Sequence, residues 1–125
     1  MSSFTAPLEV RYNHETDTWI ILRDFEFYSG NPSDGNVVKV FAGEESDFAS
    51  IPRPFRWLLP KSGKYNQATV VHDKMCRDFH AGICQEFYKE HRQRCDIFYE
   101  AMVVLNVPRF KRRIIYDGVL IGGPR

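Results

Sequence analysis

With 125 residues the chain fits one domain of ordinary size. At 43% hydrophobic and 14% aromatic residues it can bury a core without disulfide or metal staples. Seventeen basic residues against sixteen acidic ones leave a net charge of +1, which argues against a dedicated binder of nucleic acid or anionic membranes.

The N-terminus, MSSFTAPLEV, lacks the basic and apolar regions of a secretory signal, and no run of 18 apolar residues offers a membrane span. Leu8, Val10 and Tyr12 alternate with polar neighbours, and Asn13 to Asp17 supply turn chemistry. Trp19 to Tyr28 is rich in β-formers. The breaker cluster at 31–36 then separates it from a third short strand, Val37 to Ala42. A three-stranded antiparallel meander over residues 1–42 is the economical expectation.

Residues 43–64 hold prolines at 52, 54 and 60 together with Phe48, Ile51, Phe55, Trp57, Leu58 and Leu59. No long regular element fits, yet so apolar a loop must pack on the core, and ordered loops of this length are usually functional. The helical part follows over residues 65–122. Asn66 can cap a helix to about His80, which Gly82 ends. A second helix is predicted from about Gln85 to Leu105, with Phe87, His91, Cys95, Phe98, Met102 and Leu105 as its buried stripe. Pro108 suits the first turn of a last helix carrying Ile114, Ile115, Val119 and Leu120. Sheet first and helices after predicts a single α+β domain.

Chemistry concentrates around the adjacent pair His72-Asp73. Helix neighbours diverge by about 100°, so the two cannot both face the core. The plainer reading is one satisfied buried histidine beside a surface carboxylate. The functional reading needs a second carboxylate. Asp96, one residue off the apolar stripe of the next helix, could hold His72 in one tautomer as a base, leaving Asp73 to hold a cation. Asp47, Ser50 and Arg53 sit in the proline-rich loop just before this helix. They serve either as turn and cap residues or as the rim of a shared cleft, with Arg53 aimed by its flanking prolines.

The cysteines, Cys76, Cys84 and Cys95, form no even framework, so reduced thiols are expected. His72, Cys76, His80 and Cys84 recur every four residues, and His91 and Cys95 repeat the step, a spacing used by zinc ligands. With Gly82 breaking the helix and no CxxC or HExxH present, zinc is the lesser expectation. The run Arg109-Phe110-Lys111-Arg112-Arg113 is the one local basic excess, most often a solvated helix face.

The segments SDFASIPRPFRWLLPKSGKYNQATVVHD and CDIFYEAMVVLNVP resemble a domain-of-unknown-function family of tailed phages and prophages, whose pattern is T-D-x-A-S-(I/V)-P-R, P-x-x-G-x-Y, A-x-V-x-H-D, then an aspartate on a helix. Asp47, Ala49, Ser50, Pro52, Arg53, Pro60, Gly63, Tyr65, Ala68, His72, Asp73 and Asp96 match it. Ser46 stands for the usual threonine and Phe48 for the usual leucine. The likeness covers roughly residues 43 to 122. It implies a phage or prophage gene, phage structural proteins as partners, and the host cytoplasm or the virion as location. The helix-borne His-Asp with a distant aspartate is also similar to the phospholipase A2 core. That likeness implies His72 as base, Asp96 as its orienter and Asp73 as a ligand to a divalent cation such as calcium, although no glycine-rich calcium loop precedes His72.

Two functions are therefore expected. One is a hydrolase-like cleft of Asp47, Ser50, Arg53, His72, Asp73 and Asp96 that activates water. The other is a virion component, such as a tail, baseplate or assembly protein, in which the same groups form a structural polar network. The discriminating geometry is whether His72 lies within hydrogen-bond reach of Asp96 or Asp47, with Arg53 near the same cleft.

Overall fold

The computed structural model describes residues 2–46 and 66–122. Among the described residues the architecture is α+β: six short strands, then three α-helices. The strands are β1 (Ser3–Phe4), β2 (Val10–Asn13), β3 (Thr18–Ile21), β4 (Phe25–Tyr28), β5 (Val37–Val40) and β6 (Glu45–Ser46). Two antiparallel sheets form instead of one meander, in the orders β1-β4-β5 and β2-β3-β6.

The expected single strand from Trp19 to Tyr28 is therefore two. The chain leaves one sheet at Ile21 and enters the other at Phe25. Asp24, between them, accepts the Ala42 amide at 2.6 Å, adding a side-chain bond to the backbone bonds that Ile21 and Leu22 make with Glu44 and Glu9. The β2–β3 hairpin closes through Asn13, whose side chain accepts the Glu15 amide at 3.0 Å, and through Asp17 at φ 54°. Short Asx residues tolerate both roles.

Helix α1 spans Asn66–His80. Its end is a Schellman motif: the amides of Gly82 and Ile83 return to the carbonyls of Phe79 and Asp78, with Gly82 at φ 75°, a conformation glycine adopts at little cost. A 3-10 turn at Glu86–Tyr88 precedes α2, which spans His91–Val104. The second helix thus starts later than its periodicity suggests. Gln93 accepts the Glu90 amide at 2.9 Å and fixes the start there, and Phe87 packs from the preceding turn instead. Helix α3 spans Arg109–Gly122, with the Pro108 carbonyl accepting the Arg112 amide.

The core joins Ile21, Phe25, Phe27, Val38 and Val40 of the sheets to Val71, Met75, Phe98, Met102, Ile115 and Val119 of the helices. Burying each such side chain contributes about 1.5 to 3 kcal/mol. A long-range clasp ties the two layers. Glu100 of α2 accepts hydrogen bonds from Ser29 at 2.6 Å and Ser2 at 3.3 Å. Among the described residues no helix is long and apolar enough to cross a membrane.

Candidate functional site

His72 and Asp73 part company on α1. His72 is 0% exposed, and its ring lies on Phe98 of α2 with centroids 5.3 Å apart. Cys76, one turn on, places its sulfur 3.9 Å from the ring nitrogens. Burial, assisted by the nearby His91 and Arg94, drives the imidazole pKa down to about 3, so His72 is neutral at physiological pH. Burial also pushes the Cys76 thiol up, with Arg94 opposing, and the sulfur stays protonated.

Asp96 does not reach this histidine. It is exposed on α2, two residues and about 200° from the side of α2 where Phe98 meets His72. Its carboxylate instead accepts the Tyr116 hydroxyl of α3 at 2.5 Å. Burial and this bond push the Tyr116 pKa up to about 12. Among the described residues, then, no hydrogen bond joins His72 to a carboxylate of α2, and the expected His72–Asp96 juxtaposition is absent. The apolar packing of α1 on α2 chose the register.

Asp73 faces the other way. It is half-buried and accepts the Ser46 hydroxyl of β6 at 2.7 Å. Arg77, one turn along, donates to the Glu45 carbonyl at 2.8 Å. Lys74 sits 2.7 Å from Glu44 and 3.6 Å from Asp78, whose carboxylate also accepts the Tyr88 hydroxyl at 2.8 Å. Polar side chains of α1 thus stitch the helix to the β6 strand. Beside them opens a cleft of about 400 Å³ lined by Thr18, Glu45, Ser46, Asp73, Cys76, Arg77 and His80. A cavity of that size admits a small molecule or a side chain of a partner.

Asp47, Ser50 and Arg53 lie outside the described residues, as do residues 47–65; of the proline-rich loop expected over 43–64 only the start is described, and it holds the short strand β6. Among the described residues no three His, Cys, Asp or Glu side chains converge in metal-ligating geometry. The four-residue His/Cys steps resolve into pairs: His72 with Cys76 in the core, and His91 with Cys95, sulfur to Nε2 3.6 Å, while His91 also bonds the Leu120 carbonyl at 3.0 Å.

Arg77 and Arg94 were not foreseen as site residues, and His80 entered only through the zinc spacing. Arg77 and His80 follow Asp73 at i+4 and i+7, a polar stripe legible from helical spacing alone. Arg94 carries no such signal. It is 1% exposed, donates to the carbonyls of Tyr88 and Lys89 at 3.0 and 2.9 Å, and lies 4.3 Å over the Phe79 ring. A buried arginine bonded to carbonyls is a staple between the 3-10 turn and α1.

A family model described as "Protein of unknown function (DUF1353)" matches residues 19–119. No curated protein and no solved structure matches the chain.

Proposed function

This chain belongs to the DUF1353 family of proteins of unknown function, and from that premise we propose that it is a non-enzymatic phage or prophage component, a virion or assembly protein. Its His-Asp pair then serves packing. The observation that carries this reading is the sealed His72, fully buried against Phe98 with its pKa near 3. A general base works best with a pKa near the operating pH, and this one lies several units below it. The polar groups around Asp73 fit the same role, since they bond α1 to β6 and specify one packing. The resemblance to a phage family supplies the context, with other phage structural proteins as partners and the virion or the host cytoplasm as location.

Mass spectrometry of purified particles tests it. Many copies per particle, with Asp73→Asn phage growing normally, is the expected result. A protein absent from particles, whose Asp73→Asn variant folds but supports no growth, would overturn it.

The open cleft favours a second reading, a hydrolase aided by a divalent cation such as calcium. Asp73 would contribute a carboxylate and Asp47, Ser50 and Arg53 would complete the rim, while His72, the base expected from the sequence, lies buried outside the cleft lining. Carboxylate oxygens suit calcium, so the protein's thermal midpoint should rise with added calcium and lose that response in Asp73→Asn. No response speaks for the structural reading.

A further inference from the structure

The basic run at the start of α3 does not behave as one surface. Arg112 turns inward: it donates to the Val107 carbonyl at 3.0 Å and lies 5.4 Å over the Tyr99 ring. Helix α3 buries Ile115, Tyr116 and Val119 against the molecule. On the opposite side, Phe110, Ile114, Asp117 and Ile121 fall at i, i+4, i+7 and i+11, within an arc of about 60°. Two of these are largely solvent-exposed, Phe110 at 61% and Ile121 at 78%. A second apolar stripe on an already packed helix is the signature of a helix-to-helix contact.

We infer that this outer face of α3 is a self-association surface whose occupant is α3 of a second copy of the chain. The choice of occupant rests on self-complementarity. In a twofold contact the same patch meets itself, so residue i faces j and j faces i. An antiparallel pair with its axis between residues 115 and 116 sets Phe110 opposite Ile121 of the second copy, and Ile114 beside its counterpart. The same operation keeps each flank of the stripe on the same flank. Arg113, now 3.7 Å from Asp117 on its own helix and largely exposed, therefore lies within about one residue rise, roughly 1.5 Å along the axis, of Asp117 of the second copy. Both stripe ends are apolar against apolar, and both flanking pairs are cation against anion. Arg109 and Lys111 meet Gly122 and Leu120 of the second copy, so no like charges are opposed. The stripe spans about 16 Å. Such a contact is smaller than a standard interface of roughly 800 Å² per partner, so a weak, concentration-dependent dimer is the form it takes.

Analytical ultracentrifugation of the full chain over a wide concentration range tests this. The wild type should move from monomer to dimer. Phe110→Asp or Ile121→Asp should weaken association by at least about tenfold with an unchanged circular dichroism spectrum. Arg113→Asp and Asp117→Arg should each be monomeric alone, yet form a heterodimer when mixed, a result that misfolding cannot produce. A chain monomeric at every concentration, a dimer indifferent to these changes, or two charge variants that fail to pair would overturn the inference. So would binding of vesicles rich in anionic lipid, lost in Phe110→Asp, by a chain that never self-associates.

Discussion

Helix α1 makes two seams of opposite character. Against α2 it is sealed and mostly apolar, with a neutral His72 and a stapling Arg94. Against β6 it is open and polar, with Asp73, Lys74 and Arg77 bonded across the gap. His72 and Asp73 are adjacent in sequence yet belong to different seams, because consecutive helical residues point about 100° apart. A dipeptide motif therefore says little about joint chemistry until the helix face of each member is known.

The contrast makes ranked predictions. The largest effect is expected from Arg94→Ala, which removes a buried side chain and leaves the Tyr88 and Lys89 carbonyls without their donor. Urea unfolding should show a loss of about 3 to 5 kcal/mol, and a loss below about 1 kcal/mol would mean that the seam is not held there.

Next comes acid. The folded pKa of His72, about 3, lies below the ordinary 6.5. The unfolded chain therefore takes up the proton first, and stability present above 6.5 drains away as pH falls towards 3. The slope is about 1.4 kcal/mol per pH unit, so about 2 kcal/mol should be lost by about pH 5. His72→Leu should flatten the profile over that range, and an unchanged profile would put the acid sensitivity elsewhere.

On the open seam, Arg77→Ala or Ser46→Ala should cost about 1 kcal/mol, measured the same way. A larger loss than for Arg94→Ala would invert the comparison. Smallest of all, Tyr116→Phe should cost below about 1 kcal/mol, since Asp96 is exposed and water replaces the lost donor. Its phenolic titration, held near 12 in the wild type, disappears in the same spectrophotometric scan that checks the variant.

The α+β class and the C-terminal end of α1 were legible because Gly82 closes a clear helical pattern. The division into two sheets was not. Ile20, Ile21 and Phe25 read as one β-rich run, and the corner shows only in long-range contacts such as the Ala42 amide bonded to Asp24 across 18 positions. The shortest strands, β1 and β6, have two residues each, too few for any periodicity. At the site, the stripe Asp73, Arg77, His80 was present in the spacing. The register of α1 on α2 was not, because it depends on how Val71, Met75, Phe98 and Met102 interlock rather than on where charges fall. Ser46 shows the same limit: it marked a departure from the phage pattern, and its hydroxyl proves to be the partner of Asp73.

The clasp on Glu100 has a consequence for how the chain comes to be made. The Ser2 hydroxyl and the Glu100 carboxylate are 98 positions apart, and β1 meets its partner β4 across a span of more than twenty residues. During synthesis β1 can pair with β4 early, but the Ser2 hydroxyl must wait for its acceptor until most of α2 has left the ribosome. Closing so long a loop has an entropic cost that only the last contacts offset. Docking of the sheets onto the helices should therefore finish in a late step, and ribosome-bound chains halted before residue 100 should stay more protease-sensitive than the complete chain.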